Sequence, residues 1–174
     1  MKPSITLLLA SLALSGAALT ARADVLSDAR RLSASGQTAQ ALTLVDRGLA
    51  ATPRDPELRF LRGVLLIDLG RSDDALAVFR ALHEEFPELP DPPNNLAVLL
   101  AARGELEQAR TALETALRNN PRHRAARENL GDVYLGLAIR HWQSLASDAQ
   151  PEPLLARKLA LARELAASIA NAKR

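Results

Sequence analysis

Residues 94–121 read NNLAVLLAARGELEQARTALETALRNNP. Within this stretch Gly104, Ala109 and Pro121 each repeat a residue of the same type 34 positions earlier, Gly70, Ala75 and Pro87. A further 34 positions back stand Gly36, Ala41 and Pro53. An Ala-rich chain would produce the alanines by chance, but hardly glycines and prolines in the same phase. Each marker has a mechanical job. The glycine ends a helix, because φ > 0 is cheapest without a Cβ. The proline follows the next helix, which it cannot continue. The alanine sits one turn into that second helix, where a small side chain lets two backbones approach. The unit is thus a helix–turn–helix pair. One pair cannot bury its apolar face, so pairs stack. The period predicts an all-α fold, an α-solenoid of stacked antiparallel helix pairs.

Composition agrees. The 174 residues are 48% hydrophobic and 24% charged, which suits one globular domain. Only 3% are aromatic, and a core of Ala and Leu fits helix–helix contacts better than a β-sandwich. The absence of cysteine excludes disulfides, thiol catalysis and cysteine metal sites. His83, His123 and His141 are scattered, so no metal site is expected. No nucleophile elbow, P-loop or dinucleotide glycine pattern occurs, and Asp73-Asp74 and Glu84-Glu85 read as solvated faces of amphipathic helices. No catalytic constellation is present, so neither an enzyme nor a cofactor is expected.

The first 23 residues have the layout of a secretory signal peptide. Lys2 gives a basic start, Ile5 to Leu19 carries no charge, and Ala21-Arg22-Ala23 precedes Asp24 as an A-x-A cleavage pattern. The apolar run is about 15 residues, short of the roughly 20 a membrane-spanning helix needs. No later segment approaches 18 unbroken apolar residues, so no stable membrane insertion is expected after cleavage. The chain is therefore expected in the periplasm or the medium. Cleavage after Ala23 removes Lys2 and Arg22 and no acid. The remaining chain would have 20 basic and 20 acidic residues, so the basic isoelectric point of the whole sequence is no argument for nucleic acid.

The third copy, Asn94-Asn95-Leu96-Ala97 with Leu100, Gly104, Ala109, Leu113, Ala116 and Pro121, resembles the tetratricopeptide repeat. The second copy offers Gly63, Leu66, Gly70, Ala75, Phe79 and Pro87; the first offers Ala29, Leu32, Gly36, Ala41, Val45 and Pro53. A fourth begins at Asn129-Leu130-Gly131 and Tyr134, with Tyr134 at the aromatic core position, and then departs, with Ala138 where glycine is due. The resulting division is a leader over 1–23 and a repeat domain over 24–146. Repeats cover about 24–55, 56–89 and 90–123, with a partial fourth over 124–146. A linker over 147–153 and a capping helix over 154–171 follow.

The resemblance implies that first helices line a concave groove holding a peptide or protein partner. At its groove positions stand Phe60 and Val64 in the second copy, Asn94, Asn95, Val98, Ala101 and Ala102 in the third, and Asn129, Asp132 and Leu135 in the fourth. Asn95 and Asn129 share a unit position; their amides can pair with an extended peptide backbone, or cap helices and bond between repeats. Only Arg30 is basic at a groove position, which disfavours a clamp for a C-terminal carboxylate. The alternative to a groove-binding scaffold is an accessory subunit of an envelope complex, docked through its convex or terminal surfaces. The basic run Arg118, Arg122, His123, Arg124 and Arg127 and the acidic run Glu84, Glu85, Glu88 and Asp91 read as loops facing each other's charge. For the leader, sequencing the N-terminus of the exported protein is expected to give Asp24; a start at Met1 in the cell-envelope fraction would contradict cleavage after Ala23.

Overall fold

The structure, a computed structural model, describes residues 22–148 and 152–172. The leader up to and including Ala21, and residues 149–151 of the expected linker, lie outside the described residues. Every regular element described is a helix: α1 (22–34), α2 (Thr38–Ala51), α3 (Pro56–Asp68), α4 (Ser72–Glu85), α5 (Asp91–Ala102), α6 (Leu106–Asn119), α7 (Arg124–Asp148) and α8 (Pro153–Ala172). The all-α class expected from the period is the class observed. The chain forms two compact units, one up to Leu82 and one from His83 onward.

The three periodic glycines do the same thing. Gly36, Gly70 and Gly104 have φ of 79°, 73° and 77°, and no other described residue has positive φ. Behind each, two backbone bonds close the helix end. Gly70 N–H donates to Ile67 O (2.8 Å) and Arg71 N–H to Leu66 O (2.8 Å). The same pair recurs from Gly36 and Gln37, and from Gly104 and Glu105. This is the Schellman closure, which satisfies carbonyls that a helix end leaves without partners. At Ala138 no such closure forms, and α7 continues unbroken for 25 residues.

In the first unit, α2 packs on α3, and Arg62 Nε donates to Asp46 Oδ1 (2.8 Å) between them. Asp55 starts α3: its carboxylate accepts from Glu57 and Leu58 N–H, and Pro56 fills the first position, where no donor is needed. Phe79 of α4 is fully buried, a burial that stabilises by roughly 1.5–3 kcal/mol. It can sit there because Gly63 of α3 has no side chain: a Cβ at Gly63 would lie 2.6 Å from Phe79 Cζ. In the second unit α5 packs on α6, α6 on α7, α7 on α8, and α5 on α7. Leu113 and Ala97 are fully buried there. Gly136 brings α7 close to α6; a Cβ on it would stand 3.0 Å from Leu106 Cδ1.

Gly63 and Gly131 occupy equivalent places in their repeats, yet their surroundings are opposite. A Cβ at Gly131 would meet nothing within 4 Å. Tyr134, one turn on, is 49% exposed. Tyr134 is therefore not the core residue its position in the repeat implies, because among the described residues no second helix covers this face of α7. Two substitutions follow with opposite sign, read by urea denaturation. Gly63→Ala overpacks against an immobile ring and is expected to cost about 1–3 kcal/mol, less up to about 1 kcal/mol gained in helix propensity. Gly131→Ala is expected to stabilise by about 0.5–1 kcal/mol through propensity alone. A loss at Gly131 would contradict an uncovered face.

Candidate functional site

The residues implied as groove residues fall in both units, and each unit places its own. In the first, Phe60 is half-buried and its ring meets Phe79 edge-to-face, with centroids 5.5 Å apart and planes at 62°. Such a contact holds the ring as part of the packing. Val64, one turn on, is half-buried.

In the second unit, the two prolines Pro92 and Pro93 open α5 in its first turn, where their missing N–H groups cost nothing. That start sets Asn94, Asn95 and Val98 in place. Asn94 is buried, at 8% exposure. Its Oδ1 accepts from Asn129 Nδ2 at 3.0 Å, which ties α5 to α7. Asn95 donates instead to Asp91 O on its own helix (3.0 Å). The asparagines thus serve the scaffold: one buried amide pair between successive first helices, and one bond within a helix. A buried amide left without its partner would cost about 1–3 kcal/mol, so the Asn94–Asn129 pair fixes how α5 and α7 meet.

Val98 is 44% exposed. It lies on the rim of a cleft of about 430 Å³ in the second unit. The floor and walls are small or aliphatic: Ala101 of α5, Leu106 of α6, and Leu135 and Gly136 of α7. Asn129 and Asp132 supply the polar edge. A further wall is made by Ala166, Ile169 and Ala170 of α8. The sequence places Ala166 and Ile169, with Leu155, Leu159 and Ala162, on one face of the last helix, but it does not say which surface that face covers. The structure thus brings Val98, Asn129 and Asp132 together around one cleft, which Asn94 and Asn95 do not line. Phe60 and Val64 belong to the other unit.

Of the oppositely charged runs, His123 and Asp91 meet: His123 Nε2 lies 3.0 Å from Asp91 Oδ1. His123 Nδ1 accepts from Ala126 N–H (3.3 Å) near the start of α7. Asn119 Nδ2 donates to Pro87 O (2.6 Å), across the same turn. Arg127 turns back to Pro121 O. The His123–Asp91 and Asn119–Pro87 contacts bind successive repeats to each other, and the other two lie within one turn.

At the N-terminal end, Arg22 and Ala23 are already helical residues of α1. Arg22 pairs with Asp55 and, at 3.1 Å, with Glu57. Ala23 and Asp24 are exposed. Among the described residues no cluster of three or more His, Asp or Glu is placed to hold a metal ion. No described helix is long and apolar enough to cross a membrane.

Two family models, both described as tetratricopeptide repeat, match residues 26–90 and 66–131. No curated protein matches the chain. Solved structures do. TTC0263, a thermophilic TPR protein of Thermus thermophilus, is 28% identical with a TM-score of 0.60, over 80% of this chain and 79% of that one. YrrB, a TPR protein with an unusual peptide-binding site, is 29% identical with a TM-score of 0.55, over 60% of this chain and 54% of YrrB. The first TPR domain of Spaghetti (RPAP3), bound to an HSP90 peptide, is 19% identical with a TM-score of 0.62, over 70% of this chain and 93% of that one. At that identity it shares the fold alone.

Proposed function

The chain belongs to the tetratricopeptide-repeat family, and we propose that it is an exported, non-catalytic scaffold that holds a peptide or protein partner against the face of α5 and α7. The observation that carries this reading is Val98, an aliphatic side chain 44% exposed at the rim of an apolar cleft. An exposed apolar anchor beside a few polar groups, Asn129 and Asp132, is the composition of a peptide groove. YrrB, 29% identical, is described as having a peptide-binding site. The partner would be gripped through apolar contact with a polar edge, and no cofactor, metal or nucleic acid enters the scheme.

Export rests on the leader pattern. Cleavage after Ala23 would remove Arg22 and its pairs with Asp55 and Glu57. It would leave the Asp55 cap on α3 in place and put Asp24 at the start of α1, where an acid suits the helix dipole. The mature protein would then act in the periplasm or the medium.

A second reading has an observation of its own. Tyr134 and Leu145 of α7 are 49% and 58% exposed, so the uncovered face of α7 offers a terminal docking surface for an envelope complex. One experiment separates the two. The tagged protein captures partners from a cell-envelope extract, as wild type, as Val98→Asp and as Tyr134→Asp. Both substitutions are at exposed sites, where stability is expected to change by about 0.5 kcal/mol or less. Groove binding predicts that Val98→Asp lowers recovery by about tenfold or more, since burying an unpaired carboxylate is costly, while Tyr134→Asp leaves recovery unchanged. The reverse pattern would overturn the groove reading in favour of terminal docking.

A further inference from the structure

The 34-residue period puts the second helix of a fourth pair at about 140–153, but α7 runs on through that stretch to Asp148, and α8, the next helix, does not take the missing helix's place. In the preceding repeat that place is filled: Ala97 and Leu100 of α5 are buried, and α6 packs on α5. On α7 the equivalent Gly131 would have open space around a Cβ, and Tyr134 is half exposed. α8 lies along another side of α7 and runs antiparallel to it. Near its start, Leu159 and Arg163 share a depression with Gln143, Ser144 and Ala146. Near its end, Ala166, Ile169 and Ala170 face the cleft with Asn129, Asp132 and Leu135 of α7, and with Val98 and Ala101 of α5. The surface that α8 reaches is thus the one read above as the partner site.

We propose that the C-terminal half of α8 is a self-supplied occupant of this site, and that the partner the site accepts is an amphipathic helix that takes the place of α8. The inference rests on the reading of the α5–α7 face as a partner site. α8 sits there as a helix in a groove does, offering residues at spacings of three and four, Ala166, Ile169 and Ala170. Its hold is slight: of its 20 residues only Leu159 and Ala162 are buried. Two of its three groove-facing residues are alanines, and about 430 Å³ beside them is left unfilled. Attachment to the same chain compensates, because a tether of this kind raises the local concentration to the millimolar range. A partner helix with larger aliphatic residues at those places fills the cleft and gains what α8 lacks. Its apparent affinity is lowered by the fraction of molecules in which α8 is seated.

The test uses the full chain and, as probe, a fluorescein-labelled synthetic peptide of residues 153–172, followed by anisotropy. Wild type is expected to bind the peptide weakly, because its own α8 competes. Ile169→Asp in the full chain unseats α8 and is expected to bind the probe at least about tenfold tighter. Adding Ala101→Asp on the cleft wall is expected to cancel that binding. A probe carrying Ala166→Leu is expected to bind about tenfold tighter than the native peptide, from the extra apolar area it buries. Ile169→Ala, which adds no charge, is expected to give a smaller gain in the same direction. Failure of both Ile169 variants to gain affinity, or binding that survives Ala101→Asp, would overturn the proposal. Partner capture that depends on Val98 would still stand in that case, so the failure of this inference is distinct from the failure of the scaffold reading.

Discussion

Two helices can lie close together only where one of them gives up side-chain volume. In this chain that concession recurs with the repeat, and Gly63 under Phe79 is its clearest case: ring atoms occupy the space a Cβ would need, 2.6 to 3.0 Å from where it would lie. Ala29 and Ala97 are the corresponding small residues in the neighbouring repeats, and both are fully buried. Close approach lets the leucines flanking these residues reach full burial, as Leu65 and Leu66 do. The glycine turns then set where each first helix stops. With length fixed by Gly70 and Gly104 and approach fixed by Gly63 and Ala97, little freedom is left in how a pair is built. The faces used for binding are what remains after that packing is satisfied.

Most of the scaffold could be read from the 34-residue period, because each marker acts locally. A glycine with positive φ, a proline after a helix and an alanine at a contact depend on their own turn of chain. What could not be read depends on surfaces far apart in sequence. The two asparagines 34 apart left peptide contacts, helix capping and bonds between repeats all open, and did not say which partner each amide takes. In the structure Asn129 bonds to Asn94, one position from Asn95, and Asn95 bonds to its own helix. The amides carry no mark of which partner they take; the burial of Asn94 decides it. Tyr134 sits at the aromatic position of its repeat, but an aromatic is buried only if a second helix arrives to cover it. The chain sends α8 elsewhere.

The course of α8 connects packing to function. Its apolar face was legible as a helical stripe, and a stripe says only that some surface is covered. The structure supplies the surface: the α5–α7 cleft, with a polar edge at Asn129 and Asp132. The same cleft carries the functional proposal, since Val98 stands at its rim. With the leader removed, as proposed, the chain would carry no net charge to draw nucleic acid or a charged surface, which favours apolar contact with a few polar groups as the mode of recognition. A site built this way is sensitive to whether a neighbouring helix of the same chain is seated in it.

If α8 is an occupant of the cleft, α5, α6 and α7 stay packed on one another when α8 leaves it. Hydrogen exchange on the full chain, read by mass spectrometry, tests it most directly, because it reports which segments open together. The amides of α8 are expected to exchange at least about tenfold faster than those of α5 and α6, in an opening that leaves α5 and α6 protected. Exchange of α8 at the same rate as α5 and α6, in one cooperative opening, would contradict it.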